Sequence, residues 1–339
     1  MFRVTGLITL AMGLLCLGSW AEADDHIMGN YHGAFADPAW KDTPLRAEVV
    51  TTAAIRFRAV FYIGDQRVIV KGKKRRGDPE KEKKDWKKKV VDFEGEVDLG
   101  AQLGGVYTVT GQIQNEAFTG TLTGKRKQAA FELKRVFITP PSLGAASPEG
   151  AVVLLAADGE NPDQWRLFPY WRRSGDGSFR RQGGDILSKP EFGDAEYHIE
   201  FQCPFMPNQT GQGRGNSGVY VQGRYEVQVL DSFGELPAWD YCGGIYKEAV
   251  PLTCASLPPL QWQTYDITFY APKFDASGNK TKNAQITVVH NGVTIHDKVE
   301  LQDRTPGGMG GDEAPTGPLL FQDHGNDVGW RNVWVKPLN

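Results

Sequence analysis

What this 339-residue chain has little of narrows it first. It carries 4 cysteines, and no spacing among them matches a zinc site. Charge of neither sign prevails: 38 Lys and Arg stand against 41 Asp and Glu, a net charge of −3. Such a balance offers no global field to nucleic acid or to a charged membrane, so neither is predicted as a partner. No apolar run reaches the about 20 residues of a membrane-spanning helix. Helical periodicity survives nowhere beyond a turn or two, and there is no internal repeat.

What is present is strand pattern. At 40% hydrophobic and 11% aromatic residues the chain has ample material for packed cores, and its length has room for about two domains. Residues 1–23 read as a secretory signal: Arg3 opens it, an apolar run from Leu7 to Leu17 follows, and Ala21-Glu22-Ala23 supplies the small residues of a cleavage site before Asp24. Leu15 before Cys16 is too large for the usual lipoprotein site, so an exported, unlipidated protein, periplasmic or extracellular, is predicted. Removal of Cys16 leaves Cys203, Cys242 and Cys254. A bridge between Cys242 and Cys254 and a set of three buried thiols are both open.

Residues 24–138 read as an accessory antiparallel β domain, with short alternating runs separated by Gly and Asn. Between its strands, Lys71 to Lys89 is strongly basic. It reads as a solvated loop, with a polyanion patch as the alternative. The Pro-, Gly- and Ser-rich stretch 139–150 reads as a linker. Residues 151–339 again alternate, with Asn291-Gly292 as a two-residue hairpin turn. About ten short strands over this region predict an all-β sandwich or jelly roll.

Two stretches carry chemistry. In GNSGVYVQGRYEVQVLD, from Gly215 to Asp231, the period of two puts Tyr225, Val227 and Val229 on one face and Arg224, Glu226 and Gln228 on the other. In GPLLFQDHGNDVGWRNVWV, from Gly317 to Val335, Leu319 and Phe321 point one way, Gln322 and His324 the other, ahead of Arg331. Rows of charged and amide groups such as these suit a sugar-binding sheet. Asp231 falls on the face opposite Glu226 but at the strand end, where it can turn into a site or cap a loop. Aromatics cluster in the same region: Tyr220, Trp239, Tyr241, Tyr246, Trp262 and Tyr265. Core packing is the expectation for most of them, and Trp239, in a loop after Pro237, is the best candidate for stacking on a sugar. Gly215-Asn216-Ser217-Gly218 is not a nucleophile elbow, because a strand and not a helix follows. His198, with Glu196 and Glu200, reads as the solvated outer face of its strand.

From residue 150 onward, the ordered series GAVVLL with Trp165, GNSGVYVQGRYEVQVLDS, CGGIY, WQTYDITFYAPKFD, VVHNGV and GPLLFQDHGNDVGWRNVWV resembles the 3-keto-disaccharide hydrolase family. The resemblance implies a concanavalin-like β-sandwich, preceded here by the smaller β domain, and an enzyme that breaks the glycosidic bond of 3-keto-glycosides. A ketone at C3 acidifies the C2 hydrogen, so such a site needs a base, a stabiliser for the enolate oxygen and a proton donor for the leaving group. His324 and Glu226 are the candidates for acid–base work, with a brace of the turn to Arg331 and a salt bridge to Arg224 or Arg331 as their structural alternatives. Arg224 and Arg331 are candidate donors to the keto oxygen and ring hydroxyls, or equally structural partners of Glu226 and Asp231. Gln228 and Gln322 would read hydroxyls, Tyr220 and Trp239 would contact the ring, and Asp231 would assist if it turns inward. No cofactor is required by this scheme; a divalent metal on Glu226, Asp231 or His324 is the option it leaves open. A lectin-like protein that binds carbohydrate without catalysis is the alternative, since fold does not fix function.

Overall fold

The computed structural model describes residues 26–77, 85–158, 162–166, 171–181 and 183–338. The leader read at residues 1–23 lies outside them, as does the middle of the lysine-rich stretch, residues 78–84. The fold is all β. The sole α-helix among the described residues is the single turn α1 (Gly100–Leu103), and none of their helices is long and apolar enough to cross a membrane.

The first half is a closed barrel of β1 (Gly29–Phe35), β2 (Leu45–Ala53), β3 (Arg56–Ile63), β4 (Gln66–Lys74), β5 (Val91–Asp98), β6 (Val106–Gln114), β7 (Ala117–Thr123) and β8 (Gln128–Val136). Each strand pairs antiparallel with its sequence neighbour, and β1 closes on β8. Alternation sends one row of side chains inward, and Tyr31, Phe57, Phe61, Phe93, Phe118 and Phe131 fill the interior. The barrel therefore has a packed core, and closure leaves no sheet edge to aggregate. Lys71 to Lys74, the start of the basic stretch, belong to β4 rather than to a loop.

The second half is a two-sheet sandwich. One sheet has five strands in the order β10 (Trp165–Arg166), β13 (Ile186–Phe192), β22 (Gly317–Phe321), β15 (Ser217–Val221) and β16 (Tyr225–Val229). The other follows the path β11 (Trp171–Arg173), β12 (Phe179–Arg181), β23 (Gly329–Pro337), β14 (Ala195–Gln202), β17 (Gln263–Tyr270), β20 (Ala284–His290) and β21 (Val293–Leu301), with β9 (Val152–Leu155) on β23. A two-stranded ribbon, β18 (Lys273–Phe274) with β19 (Lys280–Lys282), stands apart. Between the sheets, Phe321 stacks on Trp330 at 3.9 Å and 10°, and Tyr225, Val227 and Val229 join the same core. Asn291 and Gly292 turn β20 into β21 with φ of 52° and 81°, the positive pair that a two-residue hairpin favours.

Two expectations change here. Stretch 139–150 lies against the second sheet instead of running free. The Ser142 hydroxyl bonds Asp266 at 2.5 Å, the Gly144 amide donates to Glu200, and the Ala145 carbonyl accepts from Asn332 and Trp334. His198 and Glu200, read as solvated, are thereby buried, with His198 Nδ1 at 2.6 Å from Asp266 and its ring stacked on Trp334. Alternation reveals that a strand has a polar face, but not that a distant segment will cover it. The three cysteines among the described residues are free: Cys203 and Cys242 are buried and Cys254 is half-buried.

Barrel and sandwich meet through a small apolar cluster of Met28, Val50 and Phe233 with Phe205 packed against it. Arg58 pairs with Glu235, and Arg67 donates to the Gly234 carbonyl at 2.7 Å.

A candidate active-site cleft beside strands β15 and β16

Antiparallel pairing of β15 with β16 sets Tyr220 directly opposite Glu226 and Gly218 opposite Gln228. The inward side chains Val219, Val227 and Val229 hold this corner to the core, so the alternate residues face away from it. There Glu226, Gln228 and Tyr220, with Gln322 and His324 following β22, line a cleft of about 200 Å³ closed by Gln212, Asn216, Tyr246, Pro306 and Gly307. Gly218 is required by close approach: a Cβ there would lie 2.5 Å from the Glu226 carboxylate and 2.8 Å from the Tyr220 ring.

Glu226 is 3% exposed. Burial lifts its pKa from 4.5 to about 7, and one hydrogen bond, from the Tyr220 hydroxyl at 2.8 Å, opposes the rise. Gln322 Nε2 donates in turn to the Tyr220 oxygen at 3.3 Å. A buried carboxyl without a cationic partner sits near its protonation midpoint at neutral pH, the condition for a group that takes and returns a proton. Burial also raises the pKa of Tyr220, and the adjacent Glu226 raises it further, so the phenol stays a donor.

Two acceptors in this cleft, Asn216 Oδ1 and Gln228 Oε1, are buried with no protein partner. The Asn216 amide is fixed, Nδ2 donating to the Gln212 carbonyl at 2.8 Å, and the Gln228 main chain bonds both Gly243 and Gly244. Buried acceptors left open are costly without a ligand, and sugar hydroxyls are donors of the right kind. His324 is exposed at the rim.

The roof over Glu226 is a glycine-rich loop. Pro306 O accepts from Tyr220, and Gly307, at φ 84°, passes so close that a Cβ would lie 2.6 Å from the Tyr220 hydroxyl. Thr305 Oγ1 donates to the Arg224 carbonyl and accepts from the Glu226 amide.

The remaining candidates sit elsewhere. Arg224 precedes β16, and its guanidinium turns to the carbonyls of Asp312, at 2.7 Å, and Gln222, so it braces the roof loop and is not among the residues that line the cleft. Arg331 belongs to the other sheet, paired with Glu200 at 2.7 Å and stacked 4.1 Å over Trp262. Asp231 is directed away from the cleft to Arg214, Nε to Oδ2 at 2.5 Å, which removes it from a metal set with Glu226 and His324. Among the described residues no group of three or more His, Cys, Asp or Glu is gathered as a metal would require. The cleft itself holds one carboxylate, one imidazole and amide oxygens. Trp239 is in its loop, exposed, and edge-on at 5.0 Å to Tyr246, which lines the cleft. Tyr265 is core, and Tyr241 packs against it.

Sequence reading missed Gln212, Asn216 and the roof. Asn216 stood inside a motif considered only as a serine turn, whereas Ser217 is buried and donates to the Gln322 carbonyl at 2.6 Å. The signal for the roof was the run Gly307-Gly308-Met309-Gly310-Gly311, whose four glycines all take positive φ.

Residues 150–336 match the family described as the 3-keto-alpha-glucoside-1,2-lyase-like domain. No curated protein matches the chain. Crystal structures of candidate glycosyl hydrolases from Parabacteroides distasonis ATCC 8503 are similar to it. One, at 2.13 Å resolution, is 33% identical, with 57% of this chain and 85% of that chain covered and a TM-score of 0.49. A second, at 1.70 Å, is 20% identical over 56% and 95% of the two chains, with a TM-score of 0.41. A third, at 2.00 Å, is 19% identical over 54% and 98%, with a TM-score of 0.39.

Proposed function

The chain belongs to the family of 3-keto-alpha-glucoside-1,2-lyase-like domains, and on that premise we propose that its cleft breaks the glycosidic bond of 3-keto-glucosides, in an exported protein, by elimination followed by hydration. The carrying observation is Glu226, a buried carboxyl with no cationic partner among the described residues and raised to about 7, beside two open acceptors in one cleft.

Ionised Glu226 takes the C2 proton, and the C2–H electron pair moves to the C3 oxygen as the enolate. The side-chain amides of Gln228 and Gln322 are the donors for that oxygen, while the Tyr220 hydroxyl keeps its hydrogen bond to Glu226. The enolate then re-forms the ketone, C1=C2 forms and the bond from C1 to the leaving oxygen breaks. His324, at the open rim, gives that oxygen its proton. Water adds its oxygen to C1 and gives its spare proton to the now neutral His324, while protonated Glu226 returns a proton to C2, so both groups are restored and the sum is hydrolysis. Asn216 and Gln228 accept from ring hydroxyls and hold C2 against Glu226.

The test is mass spectrometry of the products from 3-keto disaccharides in deuterated water, with and without a chelator. Elimination and hydration leave deuterium at C2 of the released keto sugar at the rate of cleavage, and Glu226→Gln abolishes both. Cleavage of unoxidised disaccharides at a comparable rate, or sugar binding with no cleavage of any keto-glycoside, overturns the proposal. The second outcome leaves a lectin-like protein.

A further inference from the structure

Arg214 is a buried cation outside the cleft, and its contacts join three parts of the molecule. Its guanidinium donates from Nε to Asp231 at 2.5 Å and from Nη1 to the Thr51 carbonyl of barrel strand β2 at 2.9 Å, and Nη2 touches Met28 of the barrel. Its own carbonyl accepts from the Asp231 amide at 3.0 Å. Asp231 lies just past β16, the strand that carries Glu226 and Gln228. Arg214 itself lies between Gln212 and Asn216, the two cleft residues supplied by the segment that leads into β15. Those two are tied to each other, Asn216 Nδ2 donating to both the carbonyl and the side-chain oxygen of Gln212. Asn216 holds one of the open acceptors.

We propose that Arg214 is a positioning residue through which the docked barrel fixes Gln212 and Asn216 in the cleft, so that the barrel completes the substrate site without touching substrate. A planar guanidinium can serve a carboxylate and a carbonyl in fixed directions at once, which an ammonium cannot. With the fork in place, the segment 211–216 is held from the barrel side by Thr51 and from the β16 side by Asp231. Without it, the segment keeps its main-chain bond to Asp231, the Gln212 bond to the Asp240 carbonyl and the Asn326 bond to the Asn216 amide, but loses its tie to the barrel, and the Asn216 oxygen is held less tightly relative to Glu226. The rest of the barrel contact, Arg58 with Glu235 and Arg67 with Gly234, does not involve this segment.

This inference rests on the activity proposed above only for one of its two readouts. Arg214→Lys keeps the charge next to Asp231 and is the variant of choice; Arg58→Ala perturbs the same docking surface by removing the bond to Glu235, which lies outside 211–216. Steady-state kinetics on a 3-keto-glucoside should give Arg214→Lys a KM raised about tenfold, the effect of one hydrogen bond lost to a charged donor, with kcat changed far less. Hydrogen exchange, which needs no substrate, should show amides 211–216 opening faster in Arg214→Lys and unchanged in Arg58→Ala. A lowered melting temperature with KM and exchange both unchanged assigns Arg214 to stability alone and overturns the proposal. So does an equal effect from Arg58→Ala, which would make general docking responsible. If the wild-type protein cleaves no keto-glycoside, the activity fails but the exchange comparison still decides the positioning role.

Discussion

Glu226→Gln separates the cost of keeping a carboxyl in the cleft from its use. Burial raises the folded pKa of Glu226 from 4.5 to about 7. A folded value above the unfolded one means that the folded state holds the proton more tightly, so this group's contribution is whole below pH 4.5 and is lost as pH rises through 7. At 1.36 kcal/mol per pKa unit, the loss is about 3 kcal/mol. Glutamine keeps the shape, still accepts from Tyr220 and has no charge to desolvate. Urea unfolding of both proteins at a series of pH values should therefore coincide at low pH and diverge above it, until the variant is more stable by about 3 kcal/mol on the alkaline side. Cleavage moves oppositely: kcat/KM of the wild type rises through about 7 as the base ionises, and the variant has none. A stability difference that does not change with pH would refute the desolvated carboxyl. A variant that still cleaves would refute the base.

Gly307→Ala places a Cβ 2.6 Å from the Tyr220 hydroxyl, whereas Gly310→Ala meets open space at a similar positive φ. Both should lose about 1 kcal/mol of stability in thermal melts, and only the first should lower kcat; equal rates would show that the Tyr220 contact to Glu226 is not needed. His324→Ala, at an exposed rim position, should leave stability within about 0.5 kcal/mol. It should slow release of alkoxide leaving groups by about a hundredfold while sparing phenolates, and a uniform loss would remove His324 as the acid. Arg331→Ala should cost about 2 kcal/mol by unpairing Glu200 with no change in kcat/KM of the folded protein. Burial would raise the Glu200 carboxyl, but bonds from His198, Asn332, Arg331 and the Gly144 amide hold it at about 2, so that stability is present above pH 4.5 and lost as pH falls through 2. The variant should accordingly be less resistant to acid; an unchanged acid midpoint would sink this assignment.

Alternation was enough to place Glu226 and Gln228 on one side of a strand and Val227 and Val229 on the other, because a period of two is a local property that tertiary packing must respect. The same rule put Arg224 in the row, and there it failed. Gln222-Gly223 turn the chain just before β16, with φ of 52° and 65°, and one residue outside the strand its side chain is free to leave the face. Arg331 failed for a different reason. Its strand, β23, lies in the opposite sheet from β16, and nothing local in the sequence assigns strands to sheets. Asn216 and the roof were hidden because they act through loops whose path is set by distant partners, Asn326 for the Asn216 amide and Gly223 for Met309.

The charged residues that looked most reactive turn out to be the ones already neutralised. Asp231 has Arg214, Arg331 has Glu200, and Arg224 has three carbonyls. Each of these would have to break a short bond before it could serve a substrate, and each bond holds a wall, a roof or a covering segment in place. Glu226 is the exception, a buried carboxyl whose one neutral partner, Tyr220, leaves its desolvation uncompensated. A cation opposite it would have stabilised the fold and lowered the pKa out of the neutral range. The cleft instead surrounds it with amides and a phenol, which supports the proposal that the proton on Glu226 comes and goes, and Glu226→Gln tests it by coupling a pH-dependent gain in stability to a loss of cleavage.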